Sequence, residues 1–135
     1  MQFYEEFIWR KNHFVYHITK KENIQSIIKK GLVPQIGDRS KSIGDNTKGV
    51  FFFDNPSLLE FWIYELYENN NINDLELLRF NLKNRKWFSK DREIGDFYTP
   101  NIILPSRIEY YDGDYEDFCY GYSENNWQKI INYKR

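Results

Sequence analysis

Apolar residues arrive along this chain in two rhythms, and the changes between them set out most of its elements. Phe14-Val15-Tyr16-His17-Ile18 is β-branched or aromatic almost throughout, which predicts a buried strand. Thr19-Lys20-Lys21-Glu22 then has the spacing of a capping box, and Ile24, Ile27 and Ile28 form one stripe at helical period, stopped by Gly31. A helix is expected over residues 20 to 30. Residues 33 to 48 carry Pro34, Gly37, Gly44 and many Ser, Asp and Asn with almost no hydrophobic period, so a long loop is expected there.

The strand rhythm returns at Lys48-Gly49-Val50-Phe51-Phe52-Phe53-Asp54, where Phe52 is expected to face opposite to Phe51 and Phe53. Asn55-Pro56 places a cap before a proline at the first helical position, and Leu58, Leu59, Trp62, Ile63 and Leu66 continue an apolar helix face until Asn69-Asn70-Asn71. Leu75 to Leu82 alternates enough for a strand, and Phe97-Tyr98 and Ile108 to Tyr111 are shorter candidates. Trp127 to Tyr133 reads as a last strand or a short helix. At the other end Phe3, Phe7 and Ile8 fall near helical spacing, which predicts a short helix over residues 2 to 10. No repeat and no linker interrupts this order, so one α+β domain over 1 to 135 is expected.

Composition narrows the class. Hydrophobic residues make up 41% and aromatic residues 19% of 135, enough to bury a core without disulfides or metal. Nineteen Lys and Arg against twenty Asp and Glu leave a formal charge of -1, so there is no global positive field to hold nucleic acid. A single cysteine, Cys119, fits a reducing compartment. No run approaches the roughly 20 apolar residues of a membrane helix, and Met1-Gln2-Phe3-Tyr4-Glu5-Glu6 is unlike a signal peptide. A cytoplasmic protein without membrane contact is therefore expected. With only His13, His17 and Cys119 as soft ligands, no dedicated zinc site is expected. Phosphate-loop, dinucleotide-fingerprint, nucleophile-elbow and His-Glu-x-x-His motifs are absent.

What remains is an ordered set: Tyr16-His17-Ile18-Thr19, the helix ending Gly31-Leu32-Val33-Pro34, and Lys48-Gly49-Val50-Phe51-Phe52-Phe53-Asp54. Together they resemble the poly(ADP-ribose) polymerase-like branch of ADP-ribosyltransferases, whose pattern is His-Gly-Ser/Thr, a helix ending Gly-Leu, and Lys-Gly-Ile/Val-Tyr-Phe. The Tyr-His-Ile-Thr form followed by Asn23-Ile24-x-x-Ile27 is closer still to DarT-type toxins, which ADP-ribosylate DNA bases. The resemblance covers residues 15 to 62, weakens from 75 to 110, and does not extend further. It implies an ADP-ribosyltransferase-like split sheet, mixed or antiparallel, with flanking helices, and NAD as co-substrate.

Residue by residue, the resemblance implies that His17 bonds the adenosine ribose of NAD, with Tyr16 beside it and Thr19 holding the same sugar. Gly49 is the close-approach position, Phe51 stands where the branch usually has a tyrosine stacked on nicotinamide, and Trp62 matches a second stacking aromatic. Each has a plainer reading. Thr19 serves equally as an N-cap, Trp62 lies on the apolar helix face as a core residue would, and one of the three phenylalanines at least must be core. Arg39, in the long loop, reads as a pyrophosphate clamp or as an exposed solubilising charge.

Breaking the nicotinamide bond of NAD builds positive charge on the ribose, so a carboxylate must stand beside that ring. The family places a Glu on a late strand before a Pro-containing connection. Here Glu93-Ile94-Gly95-Asp96-Phe97-Tyr98-Thr99-Pro100 corresponds, with Asp96 the better match and Glu93 the alternative. The implied function is transfer of ADP-ribose to a macromolecular acceptor, protein or nucleic acid, in a toxin, a phage-encoded modifier or an anti-defence factor. The alternative is a catalytically inactive module of the same fold that binds a nucleotide or protein partner. A third reading, an RNA 2′-phosphotransferase, needs basic residues before the His, and Phe14-Val15-Tyr16 supplies none. The acidic aromatic segment Tyr110 to Phe118 is read as packing.

Overall fold

The computed structural model describes residues 4–37, 44–115, 118 and 126–134. Its elements run β1 (Glu5–Ile8), β2 (Phe14–Lys20), α1 (Ile24–Lys30), β3 (Gln35–Ile36), β4 (Lys48–Phe52), α2 (Leu59–Tyr67), β5 (Leu75–Asn81), β6 (Lys86–Asp91), β7 (Asp96–Thr99), β8 (Glu109–Tyr111) and β9 (Trp127–Lys129), with short 3₁₀ turns between several of them. The fold is α+β: two helices and two antiparallel sheets, a five-stranded one in the order β1-β6-β7-β4-β3 and a four-stranded one in the order β2-β5-β8-β9.

The two sheets meet at one rung. Tyr16 and Phe53 exchange backbone hydrogen bonds of 2.7 and 3.0 Å, just beyond the end of β4, and there the antiparallel approach of β2 and β4 stops. One buried cluster, built on Val15, Ile24, Ile27, Val50, Phe52, Phe80, Trp87, Phe97 and Ile103, fills the α1 side. The other, built on Ile18, Phe53, Leu59, Trp62, Leu77, Tyr111, Phe118 and Trp127, fills the α2 side. Val50 and Phe52 therefore face one core while Phe53 faces the other, as strand alternation requires.

Several sequence expectations need correcting. Residues 5–8 form a strand, not a helix: Glu5–Ile8 pairs with Lys86–Ser89, which covers the edge of β6 and stacks Phe7 on Trp87 at 4.5 Å. An exposed sheet edge decided that segment, and its helical spacing of apolar residues was incidental. The capping box does not form, because Thr19 and Lys20 are still in β2. Thr19 Oγ1 instead accepts a bond from Asn23 Nδ2 at 3.1 Å, and the helix proper begins at Ile24 after a 3₁₀ turn over Lys21–Asn23. The long loop contains a short strand, Gln35–Ile36, and β6 had no counterpart in the sequence reading. Trp127 to Tyr133 holds both alternatives, a strand and then a 3₁₀ turn.

Other local expectations hold for the expected reasons. Asn55 Oδ1 accepts from the Ser57 amide at 3.0 Å and Pro56 opens the turn into α2. Gly31 ends α1 at φ 80°, and a Cβ there would lie 2.0 Å from the Ile103 carbonyl oxygen, so both conformation and room demand glycine. Tyr115 donates to the Leu75 carbonyl at 2.8 Å and Phe118 packs edge-on against Tyr16, which makes the described part of the acidic aromatic segment packing. Among the described residues no helix is long and apolar enough to cross a membrane.

Candidate functional site

The site lies where β2 and β4 part. One residue past the Tyr16–Phe53 rung, the His17 imidazole spans the opening gap and its Nδ1 lies 2.6 Å from the Phe51 carbonyl oxygen. A carbonyl only accepts, so Nδ1 carries the proton. Burial disfavours the imidazolium and lowers the His17 pKa from 6.5, partly offset by that same carbonyl. The neutral ring therefore keeps its Nε2 lone pair as an acceptor, fixed in direction by the bond at the opposite nitrogen.

Beyond His17 the gap widens into a cavity of about 470 Å³, within the range of small-molecule sites. β2 supplies Tyr16, His17 and Thr19, the turn into α1 supplies Asn23, and α1 and its exit supply Ser26 and Gly31 to Val33. Gln35 to Gly37 and Gly49 to Phe53 line it from β3 and β4, Trp62, Leu66 and Tyr67 from α2, and Asp96 from β7. Four stretches far apart in sequence thus converge. Of the residues singled out by sequence, Tyr16, His17, Thr19, Gly49, Phe51, Trp62 and Asp96 all border this one cavity.

Their settings differ. Thr19 is buried, and with Asn23 donating to its oxygen, its own hydroxyl hydrogen remains to be donated. Tyr16 is half-buried against Phe53, Phe118 and Trp127 with ring centroids 4.9 to 6.0 Å apart, so much of it is core. Gly49 is a close-approach position, though for a protein group: a Cβ there would lie 2.6 Å from Cδ2 of Tyr98. Phe51 is half-buried beside Tyr98, with the Lys90 ammonium 5.2 Å from its ring centroid. Trp62 is 6% exposed and donates its indole N–H to the Ile94 carbonyl at 3.0 Å, making it both a core residue and a cavity wall.

The two carboxylate candidates separate cleanly. Asp96 opens β7, is 7% exposed and lines the cavity. Glu93 lies in the exposed turn between β6 and β7, where its amide bonds Asp91 Oδ1 at 3.0 Å, and it does not line the cavity. Arg39 falls outside the described residues.

One cluster beside the site is made mostly of contacts between distant parts of the sequence. Asp45 accepts from Lys90 Nζ at 2.7 Å, Tyr4 hydroxyl at 3.0 Å, and the Thr47 hydroxyl and amide at 2.6 and 2.8 Å. The Lys90 ammonium, foremost, and the Thr47 hydroxyl hold the Asp45 carboxyl far below the usual range despite burial. The Tyr4 hydroxyl is pushed up, first by burial and then by Asp45. This ties the end of the long loop to β6 across the Phe51 ring. Only the spacing Asp45-x-Thr47, an Asx-type turn, was visible in sequence. Among the described residues no three His, Cys, Asp or Glu side chains gather as a metal site.

Compared with family models, curated proteins and solved structures, the chain finds no match.

Proposed function

We propose that this protein is an NAD-dependent ADP-ribosyltransferase. Within that class we assign it the modification of a macromolecular acceptor, protein or nucleic acid. The observation that carries the reading is the convergence of Asp96 with His17, Thr19 and Phe51 on one cavity opened by the split between β2 and β4. Two antiparallel sheets with two helices support the reading at the level of an α+β fold.

The residues divide the work. His17 Nε2 accepts from a ribose hydroxyl, and Thr19 donates its hydroxyl hydrogen to the same sugar. Phe51 and Trp62 offer aromatic faces to the nicotinamide, Phe51 without the hydroxyl of the tyrosine usual in the resembling branch. Asp96 stands by the ribose carbon whose bond to nicotinamide breaks. The bonding pair leaves with nicotinamide, positive charge spreads over the ring oxygen and that carbon, and the Asp96 carboxylate stabilises it. An acceptor nucleophile then forms the new bond to the same carbon and loses its proton to solvent. Aspartate reaches one methylene less far than glutamate, and here it starts from a buried position on the cavity wall.

A second reading, a nucleotide-binding module without chemistry, is favoured by the packing of Tyr98 and Lys90 around Phe51, which restricts the ring's free face. Incubation with NAD and a cell lysate separates the two. Mass spectrometry is expected to find ADP-ribose adducts and released nicotinamide with the wild-type protein and neither with His17→Ala. Unchanged adducts with His17→Ala, or none with wild type while NAD still binds, overturns the transferase reading.

A further inference from the structure

Asp96 enters the cavity from the end of a tight turn, and the β ladder fixes that turn poorly. The register between β6 and β7 shifts between Ser89 and Asp91, and the last pair before the turn is Asp91 with Asp96. Within the turn Gly95 has φ 64° and donates a long bond of 3.3 Å to the Arg92 carbonyl. From outside, Arg92 at the start of the turn pairs with Glu5 and lies over the Phe7 ring on β1, while the end nearer Asp96 is held by α2 and the residues leading into it. The Trp62 indole N–H donates to the Ile94 carbonyl at 3.0 Å, two residues before Asp96, and a Cβ on Gly95 would come within 3.1 Å of Leu58 Cδ1.

We infer that Trp62 is a positioning residue whose indole N–H holds the β6–β7 turn and thereby sets where the Asp96 carboxylate stands in the cavity. This rests on the transferase reading for its effect on rate, and on geometry alone for its effect on the turn. A residue serving only to stack on nicotinamide needs an aromatic face, which phenylalanine supplies equally. A residue holding a backbone carbonyl needs the N–H, which phenylalanine lacks. Placement errors near 1 Å cost about a hundredfold in rate, so a turn that loosens by a fraction of that costs about tenfold.

The test is Trp62→Phe, which keeps a buried ring and removes the donor. Hydrogen exchange at the Gly95 and Asp96 amides is expected to quicken about tenfold while exchange in β5 stays unchanged. Steady-state turnover is expected to show kcat down about tenfold with KM for NAD within about twofold. Gly95→Ala, which leaves the indole in place and crowds the same turn against Leu58, is expected to lower kcat in the same way. KM raised with kcat intact assigns Trp62 to stacking and overturns the inference, as does unchanged exchange at Gly95 and Asp96. Exchange requires no turnover, so a wild-type protein inert toward NAD defeats the transferase reading while exchange still decides whether Trp62 holds the turn.

Discussion

Two aspartates border the same part of the five-stranded sheet and are placed for opposite work. Asp45 accepts four hydrogen bonds from Lys90, Tyr4 and Thr47, and its carboxylate is fully committed to tying the long loop to β6. Asp96, on β7, is buried where Asp45 is half-buried, and it lines the same cavity as His17 and Thr19. The difference shows how to separate a structural acid from a candidate catalytic one when neither sits in a glutamate motif. The structural acid stands outside the cavity with Lys90, Tyr4 and Thr47 as its donors, and the candidate lines the cavity.

The comparison breaks most sharply by exchanging each charge for an amide. Asp96→Asn is expected to lower kcat for nicotinamide release by about a thousandfold, the scale of losing one strong transition-state charge contact, while the thermal unfolding midpoint stays close to wild type. If Asp96→Asn unfolds the protein and Asp45→Asn abolishes turnover instead, the roles are reversed.

Lys90→Met is expected to act on the fold. The Lys90 side chain is 6% exposed and that of Asp45 14%, so removing one partner strands a largely buried charge. The expected loss is about 3 kcal/mol in urea unfolding, with little change in kcat. A loss below about 1 kcal/mol would place the pair with ordinary surface ion pairs.

Acid sensitivity sharpens the same contrast. The folded pKa of Asp45 is depressed below the ordinary value of 3.8, so its contribution is fully present above that value and is lost as pH falls through the folded pKa. Below pH 3.8 the unfolded chain takes up a proton that the folded chain resists. Asp45→Asn is therefore expected to be less stable than wild type at neutral pH and to show a shallower decline under acid, read from unfolding midpoints across pH.

The smallest expected effect belongs to His17. Its folded pKa lies below 6.5, so the unfolded state binds the proton first and stability falls as pH drops below 6.5 toward the folded pKa. His17→Gln, which keeps an amide donor for the Phe51 carbonyl, is expected to remove that part of the slope. An unchanged slope would mean that His17 is not held neutral.

Much of this was legible in sequence because it is local. β2, β4, β5 and both helices follow from runs of β-branched and aromatic residues, a helical stripe and the Gly31 stop, and these bring His17, Thr19, Gly49, Phe51 and Trp62 to the site. Contacts across the chain were not legible. β1 is a strand because β6 offers an edge, and β6 buries the polar Ser89 and half-buries Lys90, so its side chains carry no apolar alternation to read. Lys90 and Asp45 meet across forty-five residues of sequence. The bond from Trp62 to Ile94 spans 32 positions and depends on a backbone carbonyl, to which side-chain patterns are blind. The family resemblance prefers Asp96 to Glu93 for the two large residues and the Pro-bounded turn that follow it, and burial separates them on independent grounds.

The most direct test is a crystal of the protein soaked with NAD. Density is expected along the split between β2 and β4, with one ribose within hydrogen-bonding distance of His17 Nε2 and the nicotinamide ribose beside the Asp96 carboxylate. Density lying elsewhere on the protein, or none at NAD concentrations that shift its melting temperature, would contradict it.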